Sequence, residues 1–252
     1  KSFRKINELI TGLDARRILP EYSSKFKVKN STFSNFNSKS VVLFVDTYIR
    51  YHEPNIGHMA HLLLESLGFE VILIQKGCCQ RPAISRGLLD LAKQEGKKVL
   101  DSLYPYLIKG VPVVICEPSC ASSLKDDLVD LMDELYWKEL SENIFLIEDF
   151  IEKEIRTGKS KSFIKIKPGN YFFHGHCHQK SIFGTKAIHQ IFNKCPDVKL
   201  RELNTGCCGM AGIFGYEKKN YDLSKKLAEV VLVPEINNSN ESQIVIADGF
   251  SC

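Results

Sequence analysis

The stretch Thr205-Gly206-Cys207-Cys208-Gly209-Met210-Ala211-Gly212 has an earlier echo in Gly77-Cys78-Cys79-Gln80-Arg81-Pro82. Each adjacent cysteine pair follows a strand-like run, at 71–74 in one case and 198–203 in the other, and each precedes a helical pattern. Neighbouring cysteines are poorly placed to bond to each other, because the disulfide would close a strained ring on the backbone. Their two thiolates can instead reach one metal centre. Buried cysteine is also a common small hydrophobe, but two pairs in matched contexts point to metal or redox chemistry.

Outward from these pairs the chain alternates strand and helix. Val41-Val42-Leu43-Phe44-Val45 is a continuous apolar run, as in a strand covered on both faces. Further strands are expected at 71–74, 111–115, 144–147, 170–173, 198–203 and 243–247. Helices are expected at 5–13, 56–67, 84–103, 121–139, 182–193 and 216–231. The spacing repeats: Thr47 and Cys78 are 31 positions apart, Cys177 and Cys207 are 30 apart. Cys79 and Cys120 are 41 apart, and Cys208 and Cys252 are 44 apart. The expected architecture is therefore α/β, with two pseudo-symmetric Rossmann-like parallel-sheet repeats and cysteine-bearing loops at the strand carboxyl ends. Ligands of open parallel sheets bind at those ends. Residues 1–40 read as an N-terminal tail or linker from a preceding module, and 41–149 as the first repeat. Residues 150–169 read as a linker, and 170–252 as a second repeat truncated at its C-terminus.

Composition narrows the function classes. A chain of 252 residues with 44% hydrophobic and 25% charged residues can bury a globular core. Its net charge of +4 comes from well-mixed basic and acidic residues, which gives no basic face for nucleic acid. No apolar run of about 18 residues is present, so no membrane span is expected. Nine cysteines without a secretory signal point to a reducing compartment and to metal or redox roles. The expected location is cytoplasmic, and peripheral association with the inner face of the cytoplasmic membrane is compatible with it. The chain begins without Met and reads as part of a longer protein.

In the second half Cys177, Cys207, Cys208 and Cys252 come from separate strand-end loops. Such a thiolate set suits a [4Fe-4S] cluster or a structural zinc. Spacing leans towards the cluster, because zinc knuckles usually pair ligands as Cys-x2-Cys. Glycines in the same loops let backbone amides approach the sulfurs. In the first half Cys78, Cys79, Cys116 and Cys120 form a weaker set. There Thr47 stands in place of Cys177, and Cys116 either joins the set or points into the core. Three readings stand for this first site: zinc, a degraded cluster, or no metal. His174, His176 and His178 alternate, so an extended backbone would place all three on one face, as metal ligands or as a proton relay. The plainer reading has one of them bonding backbone at a strand end. His52, His58, His61 and His189 are expected on the surface, and Cys195 in a structural role. Lys159-Ser160 lacks the glycine-rich half of a P-loop. No Ser-His-Asp or paired-carboxylate arrangement stands out.

The segments LFVDTYIRYHEP (43–54), GVPVVICEPSC (110–120), CCGMAGIFGYE (207–217) and ADGFSC (247–252) carry a resemblance to the cysteine-rich CCG domain family. That family includes the heterodisulfide reductase B subunit and the iron–sulfur subunits of glycolate oxidase and anaerobic glycerol-3-phosphate dehydrogenase. The sequence most resembles the C-terminal iron–sulfur region of FAD-linked D-lactate dehydrogenase fusions. The resemblance implies iron–sulfur ligation, with Cys177, Cys207, Cys208 and Cys252 matching the family's ligand positions. Departures are Thr47 for the opening cysteine of the first repeat, Gln80 for glycine, and Glu117 and Gly249 for the first cysteine of each closing Cys-x-x-Cys. It also implies FAD-binding and ferredoxin-like modules as partners, in the same chain or complex, and a quinone or cytochrome as acceptor. Three functions follow as expectations. The first is electron transfer in a flavin-dependent 2-hydroxyacid dehydrogenase, with substrate turnover outside this segment. The second is a zinc-stabilised docking module without a redox role. The third is disulfide reductase chemistry at the cysteine pairs.

Overall fold

The computed structural model describes residues 2–24, 26–28, 39–132, 135–158, 164–238 and 243–252. The first half runs α1 (Ser2–Thr11), β1 (Ser40–Phe44), α2 (Thr47–Tyr51), α3 (Pro54–Ser66), β2 (Glu70–Ile74), α4 (Arg81–Ser85) and α5 (Leu89–Leu107). It continues with β3 (Val113–Ile115), α6 (Pro118–Ser122), α7 (Leu128–Met132), α8 (Leu135–Ser141), β4 (Ile144–Leu146) and α9 (Ile147–Arg156). The second half contains β5 (Gly169–His174), α10 (Lys186–Phe192), β6 (Val198–Glu202), α11 (Tyr221–Val230), α12 (Leu232–Asn237) and β7 (Gln243–Ala247).

All described strand pairs are parallel. The strand orders are β2-β1-β3-β4 and β6-β5-β7. The first three strands of each half thus take the same places, with the opening strand in the centre. This is the repeated α/β arrangement that the spacing predicts. β4 has no counterpart among the described residues of the second half.

Alternation along β1 divides the first core into two layers. Val42 and Phe44 face Leu100 and Leu103 of α5 and Leu124, Leu128 and Trp137 beyond β3. Val41, Leu43 and Val45 face Ala60 and Leu64 of α3 and Phe150 of α9. Full burial of each large apolar side chain contributes roughly 1.5–3 kcal/mol, and this half buries the larger number of them. The second sheet has a thinner cover, with Phe172 and Leu203 packed on Leu232 of α12. Ile151 of α9 and Ile191 of α10 share a cluster that joins the halves.

Several boundaries differ from the sequence expectation. Residues 150–156 are not a linker, because Phe150, Ile151 and Ile155 sit at helical spacing and anchor α9. The expected helix at 121–139 is divided by a π-helical turn at Ser123–Asp127, where the Ser123 hydroxyl donates to the Cys79 carbonyl at 2.5 Å. In the N-terminal region, the segment after α1 bridges to the second half through Leu13 and Glu217. Arg17 Nε donates to Gly215 O at 2.7 Å, and its Nη2 to Ser224 Oγ at 2.6 Å. Lys159 and Ser160 lie outside the described residues.

Candidate metal centre between the two halves

The second-half donors gather where β5, β6 and β7 end. Cys177 and Cys252 are exposed, and Cys207 and Cys208 half-buried. Cys252 Sγ donates to Cys208 Sγ at 3.5 Å. A ring nitrogen of His174 and the sulfurs of Cys208 and Cys252 all lie within 4.8 Å of one another. The turn brings Gly209 N to donate to Cys207 Sγ at 3.3 Å. Gly209 has φ +85, and a Cβ there would lie 2.1 Å from the Ser224 carbonyl oxygen, so this turn requires glycine.

Electrostatics separates the two neighbouring sulfurs. The Cys252 thiol, the His174 imidazole and the Met210 N–H hold the Cys208 thiol well below its ordinary range, against the effect of burial. The shared hydrogen bond and burial push Cys252 up. Burial and the neighbouring Cys207 and Cys208 raise Cys177. Of the cysteines in this half, Cys208 is the one whose neighbours favour the thiolate.

The first-half set is packed differently. Cys78 bonds to Cys79 and Thr47, and Cys79 bonds in turn to Cys120. Cys79 and Cys120 are both 3% exposed. Cys120 takes a hydrogen bond from Cys79 that lowers it, yet burial with Asp46 and Glu117 pushes it up to about 12. Cys116 does not join this chain; it packs on the layer that contains Leu43 and Val114. Burial raises its thiol as well.

The two halves meet through their strand-end loops. Glu117 Oε1 accepts from the Ser119 N–H and hydroxyl, while Oε2 accepts from Phe250 N at 2.8 Å. The Phe250 ring stacks on Tyr48 at 4.2 Å. A first-half carboxyl thus fixes the second-half loop that bears Cys252. Arg81 pairs with Asp127 and donates to Ser122 Oγ at 3.0 Å, and that hydroxyl meets His178 Nδ1 at 2.9 Å. Gln179 Nε2 donates to Glu148 Oε1 at 2.7 Å. Asp248 also bonds to Gln179 and lies near Glu148, so a pair of carboxyls does face across the halves, contrary to the sequence reading. Burial raises Glu148, with the Asp248 charge adding to it, and burial raises Asp248. Asp46 is raised to about 7 by burial, against the N–H groups of Ile49 and Tyr48.

The three alternating histidines do not share one face, because extended backbone stops at His174. His174 turns to the sulfurs. His176 Nδ1 accepts from His178 N at 3.1 Å, a local backbone bond. A Cβ at Gly249 would lie 2.1 Å from the His176 ring. Burial lowers both His176 and His178 to about 4, so each is neutral at pH 7. His52, His58, His61 and His189 are half-buried, not surface decoration. His52 packs against Tyr22, Tyr48 and Phe250, and His189 bonds to Glu202 at 2.9 Å. Cys195 is buried and donates to Ile164 O at 3.3 Å. Sequence reading missed Glu117, Asp46, Glu148 and Asp248, which, like the cysteines, follow the carboxyl ends of strands. That shared position was the signal.

No protein-family model matches the chain. It is 25% identical over its whole length to the C subunit of anaerobic glycerol-3-phosphate dehydrogenase from Escherichia coli (strain K12), and the match spans 64% of that protein. It is 23% identical to D-2-hydroxyglutarate dehydrogenase of Pantoea ananatis (strain AJ13355), over 85% of this chain and 20% of that protein. The chain therefore spans only part of the length of these two relatives. It is 24% identical to lactate utilization protein A of Bacillus thuringiensis (strain Al Hakam), over 69% of this chain and 73% of that protein. These relatives are components of dehydrogenases and of lactate utilization, and the cysteine-rich crevice suits a metal cluster. Among the described residues no helix is long and apolar enough to cross a membrane.

Proposed function

We propose that this chain is the iron–sulfur electron-transfer module of a flavin-dependent 2-hydroxyacid dehydrogenase of the D-lactate type, built from CCG repeats at 41–149 and 170–252. The observation that carries the reading is the gathering of Cys208, Cys252 and His174 within 4.8 Å of one another, at the carboxyl ends of parallel strands. Cys177, Cys207, Cys208 and Cys252 would hold a [4Fe-4S] cluster, with Cys78, Cys79 and Cys120 as a weaker second site. When bound, such a cluster supplies one-electron transfer at a potential set by ligands, hydrogen bonds and solvent access. The chain's own part is to bind the cluster, to aim Gly209 N–H at Cys207 and to order the Cys252 loop through Glu117. FAD and ferredoxin-type clusters would belong to further modules of the same chain or complex, and a quinone or cytochrome would take the electrons. Dehydrogenase names among the relatives, and a match that spans 64% of the glycerol-3-phosphate dehydrogenase component, support a module within a larger assembly.

A zinc-stabilised docking module is the second reading, and one observation favours it. Two thiolates on a tetrahedral zinc lie about 3.8 Å apart, close to the 3.5 Å between Cys208 and Cys252. Rapid mixing of the anaerobic full-length protein with D-lactate separates the two. Bleaching of iron–sulfur absorbance, followed by reduction of a quinone analogue that Cys208→Ser abolishes, supports electron transfer. Unchanged quinone reduction in Cys208→Ser would remove this module from the electron path.

A further inference from the structure

We propose that His174 is itself a ligand of the second-half metal centre, and that its Nε2 binds beside Cys208 and Cys252. The inference rests on the reading that this half holds metal, and it puts an imidazole in the place of one of the two thiolates outside this group, Cys177 or Cys207, because a [4Fe-4S] cluster has one protein ligand per iron. The first support is position. One His174 ring nitrogen and both sulfurs lie within 4.8 Å of one another. His174 ends β5 and pairs with Ala247 of β7, so a strand and not a loose loop holds it.

The second support is the state of the ring. His174 is 2% exposed, and its buried Nε2 bonds to no protein oxygen or nitrogen, so the Cys208 sulfur is the group that this side of the ring meets. The opposite nitrogen is occupied: Nδ1 lies 2.5 Å from Thr205 Oγ1. Thr205 Oγ1 has its own acceptor in Leu203 O at 3.4 Å, so its proton can point there while the oxygen accepts from Nδ1–H. That tautomer turns the Nε2 lone pair to a bound metal, in place of the contact the ring makes with Cys208 in the metal-free protein. Ligating histidines are commonly held in this way, with the second nitrogen bonded to a fixed acceptor. Lys180 Nζ donates to Thr205 O at 2.9 Å and steadies the acceptor. Nearby Gly249 offers no donor of its own, since the His176 ring fills the space where a side chain would stand.

An imidazole ligand predicts a higher reduction potential than an all-thiolate set, as imidazole for thiolate does in Rieske centres. The test is pulsed EPR on the reduced full-length protein, purified without oxygen from cells fed 15N-histidine. The expected result is a strong nitrogen coupling that changes with the isotope in the unaltered protein. It is lost in His174→Ala and kept in His178→Ala. His174→Cys should keep the iron and move the midpoint potential down. Because the isotope effect is read on the unaltered protein, a variant that fails to fold leaves the test intact. Full iron and sulfide with no isotope-sensitive coupling overturns the ligand while sparing the iron–sulfur reading. Should analysis find zinc instead, X-ray absorption at the zinc edge decides. Imidazole scattering lost in His174→Ala supports the ligand and sinks electron transfer, and an all-sulfur shell overturns the ligand. A protein that binds neither metal overturns both.

Discussion

The two halves carry the same loops on the same strand order, yet they hold their cysteines in different states. In the first half Cys79 and Cys120 are buried and hydrogen-bonded in series with Cys78, and their thiols are pushed up. In the second half Cys177 and Cys252 are exposed, and Cys208 is held low by its neighbours. A covered four-stranded sheet accounts for the first state, and a thinly covered three-stranded sheet for the second. The shared strand order fixes where the cysteines stand, while burial and hydrogen bonding set their different states. The better-packed half serves the other as scaffold, because its Glu117 and Tyr48 hold the loop that bears Cys252.

Breaking this asymmetry should give its largest effect at the metal. Cys208→Ser is expected to abolish metal binding, whereas Cys79→Ser should leave most of it; metal analysis of anaerobic preparations decides, and equal losses would make the halves equivalent. The turns come next. Gly209→Ala drives a Cβ into the Ser224 carbonyl and should cost about 2–4 kcal/mol in denaturant unfolding. Gln80→Ala at the matching turn should stay within about 1 kcal/mol. Similar costs at both positions would remove the distinction between the turns.

Burial of the first-half carboxyl Asp46 has a pH signature. Its folded pKa of about 7 lies above the ordinary value of 3.8. Its protonated form is thus favoured on folding, and the contribution is full below about pH 4 and lost as pH rises through about 7. The loss should be on the order of 4 kcal/mol. Thermal melts of metal-free protein should show this slope, and Asp46→Asn, which keeps the α2 cap, should flatten it. An unchanged slope in Asp46→Asn would assign the effect elsewhere. The smallest effect is at Gln80, which adopts φ 62 without being glycine. Gln80→Gly should stabilise by about 0.5–1 kcal/mol, less what its bond to Cys78 O contributes. A net loss of stability would show that the bond outweighs the backbone strain.

Much of the fold was legible because burial writes itself locally. The apolar runs at β1, β2 and β5 mark strands, and the repeated cysteine pairs set the register of the two halves. The α9 helix was missed because its start, Ile147–Phe150, was read as the end of a strand and a linker. At the site, Cys208 and Cys252 could be read from spacing, since strand ends converge in any parallel sheet. Glu117, Asp248 and the placing of a His174 ring nitrogen beside Cys208 and Cys252 could not, because each depends on contacts between segments far apart in sequence. Cys116 shows the same limit in reverse. It ends β3 beside Cys120, but the pleat turns it into the other layer.

The central claim is that the second half holds a redox-active iron centre, and its most direct test is composition and spectrum together. Full-length protein purified and reconstituted without oxygen should carry about four iron and four sulfide that Cys208→Ser loses. Its visible and EPR spectra should change on dithionite reduction. Zinc alone, in a colourless protein that dithionite leaves unchanged, would contradict the account and leave a structural module in its place.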